Sequence, residues 1–151
     1  MPGFEPQDPK FEARVRESFA RQKVMKIIGA SLTRVSPGEV EIELPFLDDL
    51  TQQHGFLHAG IVTTIVDTAC GYAAMTLMPG DATVLTIEYK VNFVSPATGK
   101  RMIARGRVTK PGRTITVCTG DVLATSNGKE KLVATMLATM MTIREREELS
   151  G

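Results

Sequence analysis

One segment of this chain is apolar enough to be buried on most sides, and it has the length of a single long helix. From Ala59 to Met78, about 20 residues, Val62, Ile65, Val66, Ala69 and Ala73 recur at helical spacing and make one wide apolar stripe. The residues beyond it repeat with a period of two instead. Between Val84 and Phe93, Leu85, Ile87, Tyr89, Val91 and Phe93 alternate with Thr86, Glu88, Lys90 and Asn92, which predicts a half-buried strand. Arg101 to Thr109, Thr114 to Ala124 and Leu132 to Ile143 read as three more strands. They are separated by the turns Lys110-Pro111-Gly112-Arg113 and Ser126-Asn127-Gly128-Lys129. Asn-Gly tolerates the two positive φ angles of a tight hairpin.

Upstream, Phe11, Val15, Phe19, Val24 and Ile28 predict one amphipathic helix over residues 8–28. Leu32 to Val35 and Val40 to Leu44 then form a hairpin around Ser36-Pro37-Gly38-Glu39, with Glu39, Glu41 and Glu43 on one side. An antiparallel sheet with one buried helix satisfies both apolar faces by curling round that helix. The expected fold is therefore α+β, a strongly curved antiparallel sheet of five to six strands on a central helix. A single domain is expected over residues 1–151, with flexible tails at 1–7 and 145–151.

Charge and composition narrow the function. Eighteen basic and 17 acidic residues leave a net charge of +1, which argues against nucleic acid as a partner. The distribution is uneven. Residues 31–98 hold Arg34 and Lys90 against eight acids, whereas residues 99–131 hold eight basic side chains against Asp121 and Glu130, a pattern suited to a small polyanionic ligand. Asp67 and several threonines interrupt the apolar segment, so no membrane span is expected. The N-terminus lacks the features of a signal peptide, and Cys70 and Cys118 are widely spaced, as in a reduced cytoplasmic protein.

Asp67 is the residue that most suggests chemistry. Mid-helix aspartate is a poor helix former and cannot cap the helix start, yet here it sits beside Thr63, Thr64, Cys70 and Gly71 on a partly polar stripe. An acid in such a cleft can serve as base or nucleophile; the plainer reading is a carboxylate bonded to a nearby hydroxyl or base. The helix entry, His54-Gly55-Phe56-Leu57-His58-Ala59-Gly60, offers free N–H groups able to polarise a carbonyl. The His54/His58 pair has no third ligand in register, so no metal is expected, and His58 is read as fixing the loop or capping backbone. Asp67 and Gly60 are about 10 Å apart along one helix, too far to act on one carbonyl. Two antiparallel copies in a two-fold dimer would bring them together.

The stretch from His58-Ala59-Gly60 through Asp67 resembles the His-Gly-Gly, six residues, Asp signature of the hotdog-fold acyl-CoA thioesterases of the phenylacetate-degradation (PaaI-like) clade. Similarity continues through Thr86 to Phe93, Ser95-Pro96-Ala97, Gly112-Arg113 and Gly128-Lys129. The resemblance implies hydrolysis of an acyl-CoA to a free acid and coenzyme A, with no cofactor beyond the coenzyme A of the substrate, on a homodimer that pairs into a homotetramer. It implies that Asp67 is the catalytic carboxylate, that Ala59 and Gly60 supply the polarising N–H groups, and that Gln52 orients water or the carbonyl. Thr86 would face the site, and His58, Thr63 and Thr64 would line the approach. Arg113, Lys110 and Lys129 would hold the phosphates of coenzyme A, and Met75, Leu77 and Met78 would form a compliant acyl pocket. A non-catalytic acyl-CoA sensor and a hotdog hydratase or dehydratase are the alternatives.

Overall fold

The computed structural model describes residues 3–144. Two short helices, α1 (Phe11–Arg21) and α2 (Lys23–Ile28), precede the hairpin β1 (Ser31–Ser36) and β2 (Glu39–Pro45). The central helix α3 (Ala59–Met75) comes next, then β3 (Ala82–Phe93), β4 (Arg101–Lys110), β5 (Ile115–Ser126) and β6 (Lys129–Arg144). All six strands form one antiparallel sheet in the order β1-β2-β4-β5-β6-β3, so β1 and β3 are its edges. The sheet curls round α3, whose Val62, Ile65, Val66, Ala69 and Ala73 are buried as the stripe requires. Asn127 and Gly128 take φ of 53° and 77°, the left-handed pair that the β5–β6 hairpin needs.

Two glycines let the helix lie flush on the sheet. Gly106 and Gly120 are cross-strand partners on β4 and β5. A Cβ on Gly106 would stand 2.4 Å from the Ala69 carbonyl carbon, and one on Gly120 would stand 2.6 Å from Val66 Cγ2. Neither contact is possible for a real side chain, so the closest approach of helix to sheet depends on bare backbone here.

The N-terminal helix of residues 8–28 is broken. Gln22 adopts an extended ψ of 100°, and its side-chain amide donates to the Tyr72 hydroxyl at 2.9 Å. The elbow lets the chain bend round α3 while Val15 and Ser18 on one side and Met25 and Ile28 on the other stay buried. Arg14 reaches from α1 to the end of α3, donating to the carbonyls of Met75, Met78 and Pro79, which an uncapped helix end would leave unpaired. In the stretch expected as a tail at 1–7, Phe4 packs over Gly38, and Gln7 donates to the Leu77 carbonyl at 2.9 Å. The tail expected at 145–151 lies outside the described residues.

The alternation of β3 also fails at one point. The register shifts between Thr86 and Glu88, leaving Ile87 as a bulge. Before it, Thr86 pairs with buried Met140; after it, Tyr89 pairs with buried Ala138 and Val91 with buried Met136. Antiparallel partners share a face, so Thr86, Tyr89, Val91 and Phe93 all turn towards α3 while Leu85 faces away. Both Cys70 and Cys118 are buried and free, and burial pushes the Cys118 thiol up to about 12.

The uneven charge has a structural origin. Glu39, Glu41 and Glu43 of β2 pair with Arg107, Arg105 and Arg101 of β4 at 3.8, 3.0 and 3.5 Å. Three of the basic side chains assigned by sequence to a polyanion therefore face acids within the sheet. Each such partly exposed pair contributes little stability, ~0 to 1 kcal/mol.

Candidate active site

Asp67 sits two turns into α3, on the side facing the first half of β3. Its Oδ1 accepts a hydrogen bond from the Thr86 hydroxyl at 2.8 Å, and among the described residues no basic side chain pairs with it. Burial raises its carboxyl above the usual aspartate range, and the Thr86 bond, which favours the ionised form, offsets part of that rise. The carboxylate lines a cleft of about 370 Å³ with Thr68, Gly71 and Tyr72 of α3, residues 83–86 of β3, and Ser18, Arg21 and Gln22 of the N-terminal elbow. The elbow residues and Tyr72 were not singled out from sequence. Their signal was the i, i+4 spacing of Ser18 and Gln22, a polar pair beside the apolar stripe of Val15 and Phe19.

The helix entry lines a second cleft, of about 350 Å³, with Gln52, Phe56, His58, Ala59, Val62 and Phe93 among its walls. His58 is the N-cap of α3: its Nδ1 accepts from the Gly60 N–H at 2.8 Å. The Gly60 N–H is thus engaged within the chain, whereas the Ala59 N–H makes no hydrogen bond among the described residues. Gln52 uses its Oε1 to hold the loop, accepting from the N–H groups of His54 at 2.6 Å and Phe56 at 3.3 Å, which leaves its amide NH₂ as donor. The two clefts are separate in one protomer.

The remaining sequence-predicted residues are dispersed. Thr63 and Thr64 donate back to the carbonyls of Ala59 and Gly60 and line neither cleft. Leu77 and Met78 line a third cleft together with Arg113 and Arg144, away from Asp67, and Met75 is core. Lys110 and Arg113 stand at the β4–β5 turn, but Lys129 begins β6 at the opposite end of the 12-residue β5. At ~3.3 Å per residue that is about 36 Å, so one protomer cannot bring all three to one phosphate group. Among the described residues no three His, Cys, Asp or Glu side chains group to hold a metal ion, and no helix is long and apolar enough to cross a membrane.

Comparison with known proteins gives this architecture a family. The model of the Thioesterase superfamily matches residues 54–131, which span the helix entry, Asp67, Thr86 and the β4–β5 turn. A solved thioesterase family protein from Silicibacter pomeroyi is 52% identical, superposes with a TM-score of 0.88, and covers 89% of this chain and 99% of its own. The PaaI protein of E. coli shares the fold at 17% identity, with a TM-score of 0.80 and coverage of 89% and 94%. The human acyl-coenzyme A thioesterase 13 is 27% identical over 100 residues, 66% of this chain and 71% of its own. The chain belongs to the Thioesterase superfamily and has the hotdog fold of the PaaI-like thioesterases. Thioester hydrolysis is the reaction class that membership carries.

Proposed function

We propose that the protein hydrolyses acyl-CoA thioesters, with Asp67 as general base. The observation that carries the proposal is the carboxylate itself: half-buried in a cleft, in no ion pair among the described residues, held by one oxygen and raised towards neutrality by burial. A base works best when its pKa approaches the working pH. Asp67 takes a proton from water as the water oxygen attacks the thioester carbonyl carbon. The tetrahedral intermediate then collapses, the C–S bond breaks, and the thiolate leaves to be protonated as coenzyme A. The acyl-CoA assignment draws support from the name of the human relative.

The electrophile needs donors at its oxygen, and the Ala59 and Gly60 N–H groups have that character at the positive end of α3. For Gly60 to serve, the incoming carbonyl must displace the His58 ring as acceptor. Since Asp67 and Ala59 of one chain line different clefts, the site we propose is shared across a two-fold homodimer, with the partner subunit's Ala59 and Gly60 meeting Asp67 of this chain. Two features support that assembly. Asp67 is tied to β3, an edge strand whose 12 residues have an unpaired backbone rim. Leu85, Ile87, Tyr89 and Phe93 on it are 43 to 53% exposed, an edge that isolated proteins avoid. Leu85, Ile115, Val117 and Leu137 on the outer face favour pairing of dimers into a homotetramer. Two buried thiols suit the reducing cytoplasm.

Release of free thiol from a panel of acyl-CoAs, wild type against Asp67→Asn, tests the proposal. Turnover in the wild type that the substitution abolishes is the expected result. Undiminished turnover removes Asp67 from the mechanism, and tight binding of acyl-CoA without turnover assigns the protein to sensing instead.

A further inference from the structure

We infer that the Asp67 cleft selects short acyl groups ending in a carboxylate, and that Arg21 and Gln22, at the elbow between α1 and α2, are the residues that read that end. The inference rests on the proposed thioesterase activity and names its substrate class. The cleft, at about 370 Å³, is near the lower limit of small-molecule pockets, ~300 to 1,000 Å³. It has room for an acyl group and none for the nucleotide of coenzyme A, so with the thioester at Asp67 the tail points to the far wall.

That wall is the wrong chemistry for a plain hydrocarbon. Beyond Asp67 it presents Ser18, Gln22, Thr68, Thr83 and the Tyr72 hydroxyl. An alkyl chain laid there would leave the hydrogen-bonding capacity these groups do not spend on one another, that of Thr83 and the rest of the Gln22 amide above all, without water or a partner. The Tyr72 hydroxyl is fixed between Ser18 Oγ and Gln22 Nε2, each at 2.9 Å, so the wall is preorganised. The break in the helix is what turns Gln22 inward, and it sets Arg21 beside it at the rim. Arg21 is exposed and makes no ion pair among the described residues, unlike Arg14, Arg16, Arg34, Arg101, Arg105 and Arg107.

Charge sets the direction as well as the class. Among the described residues, Asp67 and Arg21 are the only charged side chains that line the cleft. An anionic tail is repelled from the first and drawn to the second, which leaves the thioester at Asp67. A cationic tail would bind the other way round, with its charge on the catalytic carboxylate. Arginine also offers the planar fork of donors that suits a carboxylate.

The test compares kcat/KM for glutaryl-CoA and hexanoyl-CoA, two chains of similar length that differ in the terminal charge. The wild type is expected to favour glutaryl-CoA by at least about tenfold. Arg21→Met should remove that preference while leaving hexanoyl-CoA within about twofold, and Arg21→Glu should reverse it. Because Arg21 is exposed and forms no ion pair among the described residues, both variants should melt close to the wild type, as substitutions at such surface sites do. Equal loss on both substrates in Arg21→Met would put Arg21 on the coenzyme A portion and overturn the inference. So would a wild type that cleaves hexanoyl-CoA as well as glutaryl-CoA, although the thioesterase proposal would then stand. A folded wild type that cleaves no acyl-CoA at all overturns both.

Discussion

The hydroxyl of Thr86 on the edge strand donates to the Asp67 carboxylate on the central helix across 2.8 Å. This bond does more than position a side chain. It supports the ionised form of a group that burial otherwise pushes towards the neutral acid, so it tunes the pH at which the carboxylate is ionised.

Thr86→Val removes the donor without changing the shape of the side chain. With burial unopposed, the Asp67 carboxyl rises further above its ordinary value. The acidic limb of the kcat/KM profile for thioester hydrolysis should move to higher pH, while the plateau well above it falls less than at low pH. A limb that stays in place or moves to lower pH would show that Thr86 does not support the charge.

Asp67→Asn should cost at least about a hundredfold in kcat, the low end of what general base catalysis supplies. The same substitution should stabilise the fold at neutral pH. A carboxyl raised in the folded state binds its proton more tightly there than in the unfolded chain. The associated stability is present at low pH and is lost as pH rises through the folded value. Asparagine has no charge to desolvate and can still accept from Thr86. Thermal melts should place the variant above the wild type at neutral pH, with the gap closing as pH falls.

Mixing an Asp67→Ala chain with a Gly60→Pro chain tests the shared site. In a randomly assorted equal mixture half the dimers are mixed, and each has one intact site, so activity should recover to about a quarter of the wild-type level. Absence of recovery in verified mixed dimers would mean that each site is complete within one chain.

The glycine pair under α3 should be unequal. A Cβ at Gly106 meets helix backbone at Ala69 and Cys70, whereas one at Gly120 meets the movable ends of Val66 and Cys70. Gly106→Ala should therefore cost more than Gly120→Ala, about 3 kcal/mol or above against about 1 to 2, measured by urea unfolding. The reverse order would locate the tight contact elsewhere.

Where one physical signal dominated, the sequence was readable. The apolar stripe of α3 and the Asn127-Gly128 turn are local properties, and each appears at the expected position. The charge reading missed the pairing of Arg101, Arg105 and Arg107 because register is a tertiary property: nothing in the order of residues says that Glu41 will lie opposite Arg105. The elbow at Gln22 was hidden for the same reason, since its partner, Tyr72, is 50 residues away. Asp67 stood out because it offends helix propensity, and a cleft round it was expected; the elbow side of its wall was not, because Ser18, Arg21 and Gln22 come from the distant N-terminal helices.

The extra residue at Ile87 works as a phase shifter for the sheet. Upstream of it the pleat delivers Thr86 to the acid, and downstream it delivers Phe93 to the helix entry, so both clefts are furnished by one strand that at this length could not serve the two in a regular pleat. Flattening the bulge at constant length would invert every side chain on one side of it, whereas excising Ile87 itself would leave Thr86 opposite Met140 and Glu88 opposite Thr139 and keep both ends on their faces. Length variation is ordinarily absorbed by loops; in this protein a strand carries one residue more than its partner, and that surplus keeps the acid's partner and the aromatic wall on the same face.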